Sequence, residues 1–286
     1  MKEAMFYEKK DGKRVQCHLC PRNCMIADGK TGFCGVRKNT GGKLYSLVYG
    51  KPCAVNVDPI EKKPIYHFRP GTFCLSIGTV GCNLDCSFCQ NWDISHPDGI
   101  FGESLPPERA VEMCRKRDLP GIAYTYNEPT IWTEYALDTM KLARKESLYN
   151  VWVSNGYTSP EAVREVSRYM DAINVDLKGD VKFYNKLCGI ANEEPVKNAL
   201  LLYRKAKVHI EVTNLVIPGF NDRPEQMRRL VSWVAENLGR ETPIHFSRFF
   251  PHFRMHDTPV TPLETLRKAE GIAKKDGMKH VHLGNV

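Results

Sequence analysis

Three cysteines stand close together in the run Val80-Gly-Cys82-Asn-Leu-Asp-Cys86-Ser-Phe88-Cys89-Gln-Asn. Three thiolates on one short loop can hold three irons of a 4Fe-4S cluster and leave the fourth iron open, whereas four cysteines usually make a closed electron carrier. An open iron is a place where a small molecule can bind and react. Zinc is the competing occupant, but a closed zinc site asks for four ligands, and His96 as the fourth gives an unusual spacing. A second group, Cys17, Cys20, Cys24 and Cys34, supplies a full tetrahedral set of thiols. Zinc there would staple a segment with little core of its own. A second 4Fe-4S cluster could instead relay electrons to the first. The spacing leaves both open, with a structural metal preferred. Cys53 and Cys74 read as small buried hydrophobes.

The elements that must position these residues follow from periodicity. Phe73–Val80 reads as a buried strand, so the three-cysteine loop sits just past a strand's carboxyl end, where α/β folds keep their active sites. From residue 72 onward strands and helices alternate. Candidate strands cover 73–80, 120–125, 150–154, 172–177, 208–217, 243–250 and 280–284. Ser159-Pro160 reads as an N-cap with proline at the first helical position, and Thr261-Pro-Leu-Glu264 as a capping box. Alternation implies parallel strands with right-handed crossovers. Six or seven units over roughly 210 residues fall short of an eight-unit barrel. No Gly-rich dinucleotide fingerprint follows the first strand. The expectation is therefore an α/β fold, a partial (β/α)6-type TIM barrel, preceded by a small irregular cysteine-rich segment. Polar residues gather at the expected strand ends: Asn127 and Glu128, Ser154 and Asn155, Asp176 and Lys178, then His252 flanked by Arg248 and Arg254, which could bind a carboxylate or phosphate. Each has a structural alternative. Glu128 could simply favour a helix start, Asn155-Gly156 could form an ordinary turn, and Asp176 could pair with Lys178 on one face of a strand.

The 286 residues suit one α/β domain over 71–286 plus the appendage 1–70. In the appendage, Val57–Pro70 carries three prolines and reads as an extended strap. No apolar run is long enough to cross a bilayer, and Met1–Lys10 lacks the apolar stretch of a signal peptide. A soluble, cytoplasmic protein is expected, in which eleven cysteines serve metals or catalysis rather than disulfides. The net charge of +8 lies wholly in residues 1–70, which hold fourteen Lys or Arg against six Asp or Glu; the remainder holds twenty-seven of each. Such an excess can mark a surface for RNA or an acidic protein. The preferred reading is compensation of metal-bound thiolates by Lys13, Arg14, Arg22, Arg37 and Lys38, with nucleic acid disfavoured.

The C-x-x-x-C-x-x-C run with Phe88 beside its last cysteine resembles the signature of the radical S-adenosylmethionine (SAM) superfamily. The resemblance implies that SAM chelates the open iron and that the reduced cluster cleaves it to methionine and a 5′-deoxyadenosyl radical, which abstracts hydrogen from a substrate. Tyr124-Thr-Tyr-Asn127-Glu128-Pro129-Thr130 is similar to the family's Gly-Gly-Glu-Pro pattern, with Tyr126-Asn127 in place of the glycines. It implies that Glu128 receives the SAM ammonium, with Asn127 beside it and Phe88 near adenine. Val151-Trp-Val-Ser154-Asn155-Gly156 is similar to the Asp-Thr-Asn-Gly segment of the glycyl-radical-enzyme activating branch, with Val153 where that branch has aspartate. Asp176-Leu-Lys178 and the loop Val216-Ile-Pro218-Gly219 match the same branch. Ser154, Asn155, Asp176, Lys178 and His252 are thereby implied as SAM-side residues. This core likeness covers 72–286. Together with Asp58-Pro-Ile-Glu-Lys-Lys-Pro-Ile-Tyr-His-Phe68, the amino-terminal cysteines extend it along the whole chain to the radical SAM protein of the AmmeMemoRadiSam system, a pyruvate formate-lyase activating-enzyme-like group. Members of that group are expected to carry a short cysteine-pair tail after the segment matching Leu283–Val286. The likeness implies a reductant such as ferredoxin or flavodoxin, and Memo- or Amme-type proteins as partners or substrates. Two other functions compete: activation of a glycyl-radical enzyme, and a metal-stapled basic module that binds RNA or an acidic protein.

Overall fold

The computed structural model describes residues 1–286. Its main sheet carries seven parallel strands: β8 (Phe73–Gly78), β9 (Gly121–Tyr124), β10 (Tyr149–Ser154), β11 (Ala172–Asp176), β12 (His209–Val216), β13 (Ile244–Arg248) and β14 (Val281–Gly284). Each lies within two residues of the expected bounds. They hydrogen-bond in sequence order, so β8 and β14 do not meet and the barrel is open. Helices return the chain from each strand to the next: α1 (Trp92–Ser95) and α2 (Pro107–Lys116), α3 (Thr133–Lys145), α4 (Pro160–Val166), α5 (Val181–Cys188) and α6 (Glu194–Lys205), α7 (Pro224–Asn237) and α8 (Leu263–Lys275). This is the partial TIM barrel that the alternation predicts.

The caps are mostly local chemistry. The Ser159 hydroxyl accepts from the Ala162 amide at 3.3 Å and starts α4. Asp180 caps α5, which Gly189 ends at φ +66°. The capping box expected at Thr261 does not form. Its hydroxyl instead donates to the Val216 carbonyl and accepts from the Phe249 amide, tying β12 to the end of β13, and α8 begins without a side-chain cap.

The first seventy residues are more ordered than expected. β2 (Tyr7–Lys9), β3 (Val15–Cys17) and β4 (Met25–Ile26) form one three-stranded sheet; β1 (Lys2–Glu3), β6 (Lys43–Ser46) and β5 (Arg37–Thr40) form another. These strands are two to four residues long and too short for alternation to reveal them. They enclose a small core of Ala4, Val15, Leu19, Ile26 and Leu44. Arg37 clamps this unit to α3. Its guanidinium bonds both Glu134 oxygens at 2.8 and 2.9 Å, with both side chains about 2% exposed.

The strap is likewise more than a linker. Ala54–Pro59 forms β7, antiparallel to β8, and so adds an eighth strand to the main sheet. The chain then crosses the amino-terminal end of the open barrel. Ile60, Ile65 and Phe68 pack against Cys74, Ala123, Tyr149 and Ala172. Asn174 holds the Pro64 carbonyl, and Glu211 on β12 accepts the amides of Tyr66 and His67.

Candidate active site

At the carboxyl end of β8 the chain turns through Gly81 at φ +91°. A Cβ at this position would lie 2.5 Å from the Cys34 carbonyl oxygen, so only glycine fits where the two cysteine segments abut. The loop is then pinned to the last turn of α5. The Asp85 and Ser87 amides donate to the carbonyls of Cys188 and Leu187 at 3.1 and 2.8 Å, and Arg254 bonds the Asp85 carboxylate at 3.0 Å. Cys82, Cys86 and Cys89 thereby face one cavity of about 580 Å³, a size that suits a small-molecule cofactor. No three His, Cys, Asp or Glu side chains are already in closed coordinating geometry.

Burial sets the character of these thiols. It pushes Cys89 up, and pushes Cys82 well up with help from the Glu128 charge. A hydrogen bond with Cys188, then burial, raises Cys86 well above its ordinary value. Cys188 is the cavity neighbour that spacing gave no reason to select. Three protonated thiols lining one cavity fit a thiolate-bound cluster whose loading expels their protons. The Asn155 amide nitrogen lies 3.7 Å from the Cys82 sulfur, a contact of the kind that tunes a cluster's potential.

The expected strand-end residues converge on the same cavity, with one exception. Phe88, Asn127, Glu128, Ser154, Asn155, Asp176 and Lys178 line it. His252 is not among the lining residues; it lies on the loop after β13. Arg248 is also engaged elsewhere, with the Thr261 carbonyl.

Glu128 is 1% exposed and is the hub. One oxygen accepts from the Thr130 amide (2.9 Å), the Thr130 hydroxyl (2.6 Å) and the Ser154 hydroxyl (2.8 Å); the other accepts only from the Asn155 amide (2.7 Å). The second oxygen keeps room for one more donor. Burial raises the Glu128 pKa above its ordinary value, against the four bonds that favour the anion. Glu128 therefore both starts the helical turn, as the structural alternative required, and faces the cavity.

The replacements for the two glycines have distinct roles. Tyr126 adopts φ +70°, the left-handed conformation that glycine takes freely and tyrosine takes at a cost. Its hydroxyl compensates by donating to Asp58 at 2.5 Å, and its carbonyl accepts from Asn91. Asn127 uses its whole amide: it accepts from the Thr79 amide and Trp132, and donates to the Thr79 hydroxyl and the Gly81 carbonyl. It ties the end of β9 to the cysteine loop. Lys178 bonds Asp176 at 2.7 Å, the strand-face pair anticipated from spacing. Burial acts to lower Lys178, but the Asp176 charge and its hydrogen bond oppose it and hold the ammonium well above its usual range.

Lys62, Lys63 and Pro64 of the strap also line the cavity. Lys62, Lys63 and Tyr126 all bond Asp58. Against burial, which would raise it, those bonds hold the Asp58 carboxyl far below its ordinary range. Sequence reasoning missed this floor because it depends on where the strap crosses the barrel, which no local pattern records.

Cys17, Cys20, Cys24 and Cys34 line a second, much smaller cavity of about 20 Å³ with Arg22, Arg37 and Asn83. Burial pushes Cys20 up to about 12 and Cys34 up to about 11. The Arg37 Nε is buried there without a hydrogen-bond partner. Asn83, which lines this site, directly follows Cys82 in the chain.

A family model described as the radical SAM superfamily matches residues 76–231. An uncharacterized protein of Methanocaldococcus jannaschii is 46% identical over all of this chain and 86% of its own length. The pyruvate formate-lyase-activating enzyme of Clostridium pasteurianum is 22% identical over 55% of this chain and 67% of its own. Among solved structures, a radical SAM methyltransferase from Sphaerobacter thermophilus superposes with a TM-score of 0.59 at 16% identity, covering 77% of this chain and 68% of its own.

Proposed function

The chain belongs to the radical SAM superfamily, and from that premise we propose that its cavity binds a 4Fe-4S cluster on Cys82, Cys86 and Cys89 and SAM on the remaining iron, to abstract hydrogen from a protein segment. Membership in the superfamily implies the cluster and SAM, and its members are enzymes. The bound pair supplies the radical chemistry. Everything else is work for this chain's own side chains.

The observation that carries the reading is the Glu128 hub. A buried carboxylate with one underused oxygen accepts from the backbone amide of Asn155, whose side-chain amide reaches the Cys82 sulfur. A cationic amino group held at an iron beside Cys82 would find its acceptor there, in a site where burial strengthens the bond. Phe88, 3% exposed and packed on Phe183, offers an apolar wall for a nucleobase. Asp176 and Lys178 are polar partners for ribose and carboxylate. The strap residues Lys62 to Pro64 form the floor of the cavity. Electron paramagnetic resonance tests this directly. Addition of SAM to the dithionite-reduced protein should change the cluster spectrum, and an unchanged spectrum sinks the proposal.

The substrate class rests on the open sheet and on a relative whose name states that it activates another enzyme. A Memo- or Amme-type protein is the candidate substrate, and ferredoxin or flavodoxin the candidate reductant.

For the amino-terminal cysteines we propose a single zinc ion. A cavity of about 20 Å³ suits one ion, since a water-sized particle already needs roughly 10–15 Å³. The Arg37 Nε beside the four thiols is placed to donate to a metal-bound sulfur. Metal analysis should find one zinc per chain that depends on these cysteines and is lost in Cys34→Ser. Four extra irons instead would identify a second cluster.

A further inference from the structure

Five of the nine histidines gather at the amino-terminal end of the barrel, far along the chain from either cysteine group: His67 on the strap, His209 on β12, His245 on β13, and His280 and His282 at β14. Two have settled roles. Glu211 accepts from His209 at 3.0 Å and His245 at 2.6 Å, along with the strap amides of Tyr66 and His67. That hub fixes the strap against β12. The other three are not consumed by it. The Nε2 atoms of His67 and His282 face each other at 2.8 Å. The His280 ring lies 4.4 Å from that of His67 and makes only a 3.3 Å contact with the exposed Glu241.

We propose that His67, His282 and His280 bind a divalent transition-metal ion of the zinc class, which pins the strap to the last strand of the open sheet. Imidazole nitrogens suit zinc, copper and nickel. With Zn–N bonds of 2.0–2.1 Å, two ligating nitrogens on a tetrahedral ion stand about 3.3 Å apart. The His67 and His282 rings thus need to part by about 0.5 Å and tilt so that both Nε2 lone pairs meet at the ion. No third ligand is in coordinating geometry yet, and rotation of His280 away from Glu241 would supply it. Stacking of His282 on His245, itself held by Glu211, orients the His282 ring. The position gives the ion a purpose. The strap leaves the main sheet at β7 on one edge and reaches β14 on the other, with Lys62 to Pro64 in the catalytic cavity between. An ion at its far end would fix the cavity floor.

The test uses the anaerobically reconstituted protein, with metal already on the cysteines counted first. Zinc uptake above that level is then measured by equilibrium dialysis at pH 7.5. The outcome does not depend on which metal the cysteines hold. Wild type should take up one further zinc per chain, and His67→Ala and His282→Ala should each bind it at least about tenfold more weakly. A cobalt substitute at the extra site should lack thiolate charge-transfer bands. If His282→Ala does not fold, the exposed His67→Ala carries the test. No further uptake by wild type, or full uptake by His67→Ala, overturns the proposal and leaves an ordinary His67–His282 hydrogen bond.

Discussion

Glu128→Gln separates the two duties of the hub. The amide must keep its oxygen where three donors converge, the Thr130 amide, the Thr130 hydroxyl and the Ser154 hydroxyl. Its NH2 then points at the Asn155 amide, so one hydrogen bond is lost and two donors face each other in a buried site. That should cost about 1–3 kcal/mol of stability, seen as a lower urea midpoint with an unchanged slope. The same change removes the anionic acceptor for the SAM ammonium. A charge-assisted bond contributes about 1.5–3 kcal/mol, which corresponds to about 10- to 150-fold weaker SAM binding. Calorimetric titration of SAM into anaerobically reconstituted wild type and variant measures this. Ser154→Ala is the control: it removes one donor from the other oxygen, costs about 1 kcal/mol of stability, and leaves SAM affinity within a few-fold. If Glu128→Gln binds SAM as tightly as wild type, the hub is only a helix start and the reasoning fails.

Breaking the buried Arg37–Glu134 pair with Arg37→Ala should cost about 3–5 kcal/mol in urea unfolding, because it strands the Glu134 charge; the exposed Lys116–Glu112 pair should cost about 0.5 kcal/mol or less when broken, and equal effects contradict the account. Tyr126→Phe removes the hydroxyl bond to Asp58, which keeps Lys62 and Lys63, so about 0.5–1.5 kcal/mol should be lost; no change in the urea midpoint refutes a role for that bond. Acid should weaken the strap. The fold holds His282 at about 4 against an ordinary 6.5 and lowers His67, so the unfolded chain takes up protons first, and stability present above pH 6.5 is lost as the pH falls towards 4. Glu211, held far below 4.5 by its bonds despite burial, adds a loss in the same direction below pH 4.5. Urea midpoints that stay flat between pH 7 and 4.5 contradict this.

The barrel and the cysteine loop were readable because both are written locally. Each parallel strand is a short apolar run, and each polar strand end follows it directly; the roles of Glu128, Asn155 and Asp176 there were legible through the likeness of their motifs to the superfamily. What escaped was set by distant pairing. β7 looks like a proline-rich linker until β8 is beside it. Asp58 acquires its role only when Tyr126, sixty-eight residues later, reaches it from a left-handed backbone. Arg37, read as a counter-charge for thiolates, also bonds Glu134, ninety-seven residues on. The histidine group did leave a trace: His245 and His282 each sit at the second position of successive strands, a register that places them side by side once the strands are known to be parallel.

The central claim is that Cys82, Cys86 and Cys89 hold a cluster that, with SAM beside Glu128, generates a radical. Anaerobic incubation of the reconstituted protein with SAM and dithionite, with 5′-deoxyadenosine quantified, tests it most directly. Wild type should form 5′-deoxyadenosine while Cys86→Ala forms none above background. Equal yields from the two proteins, or none from a wild type that carries its full iron, would contradict it.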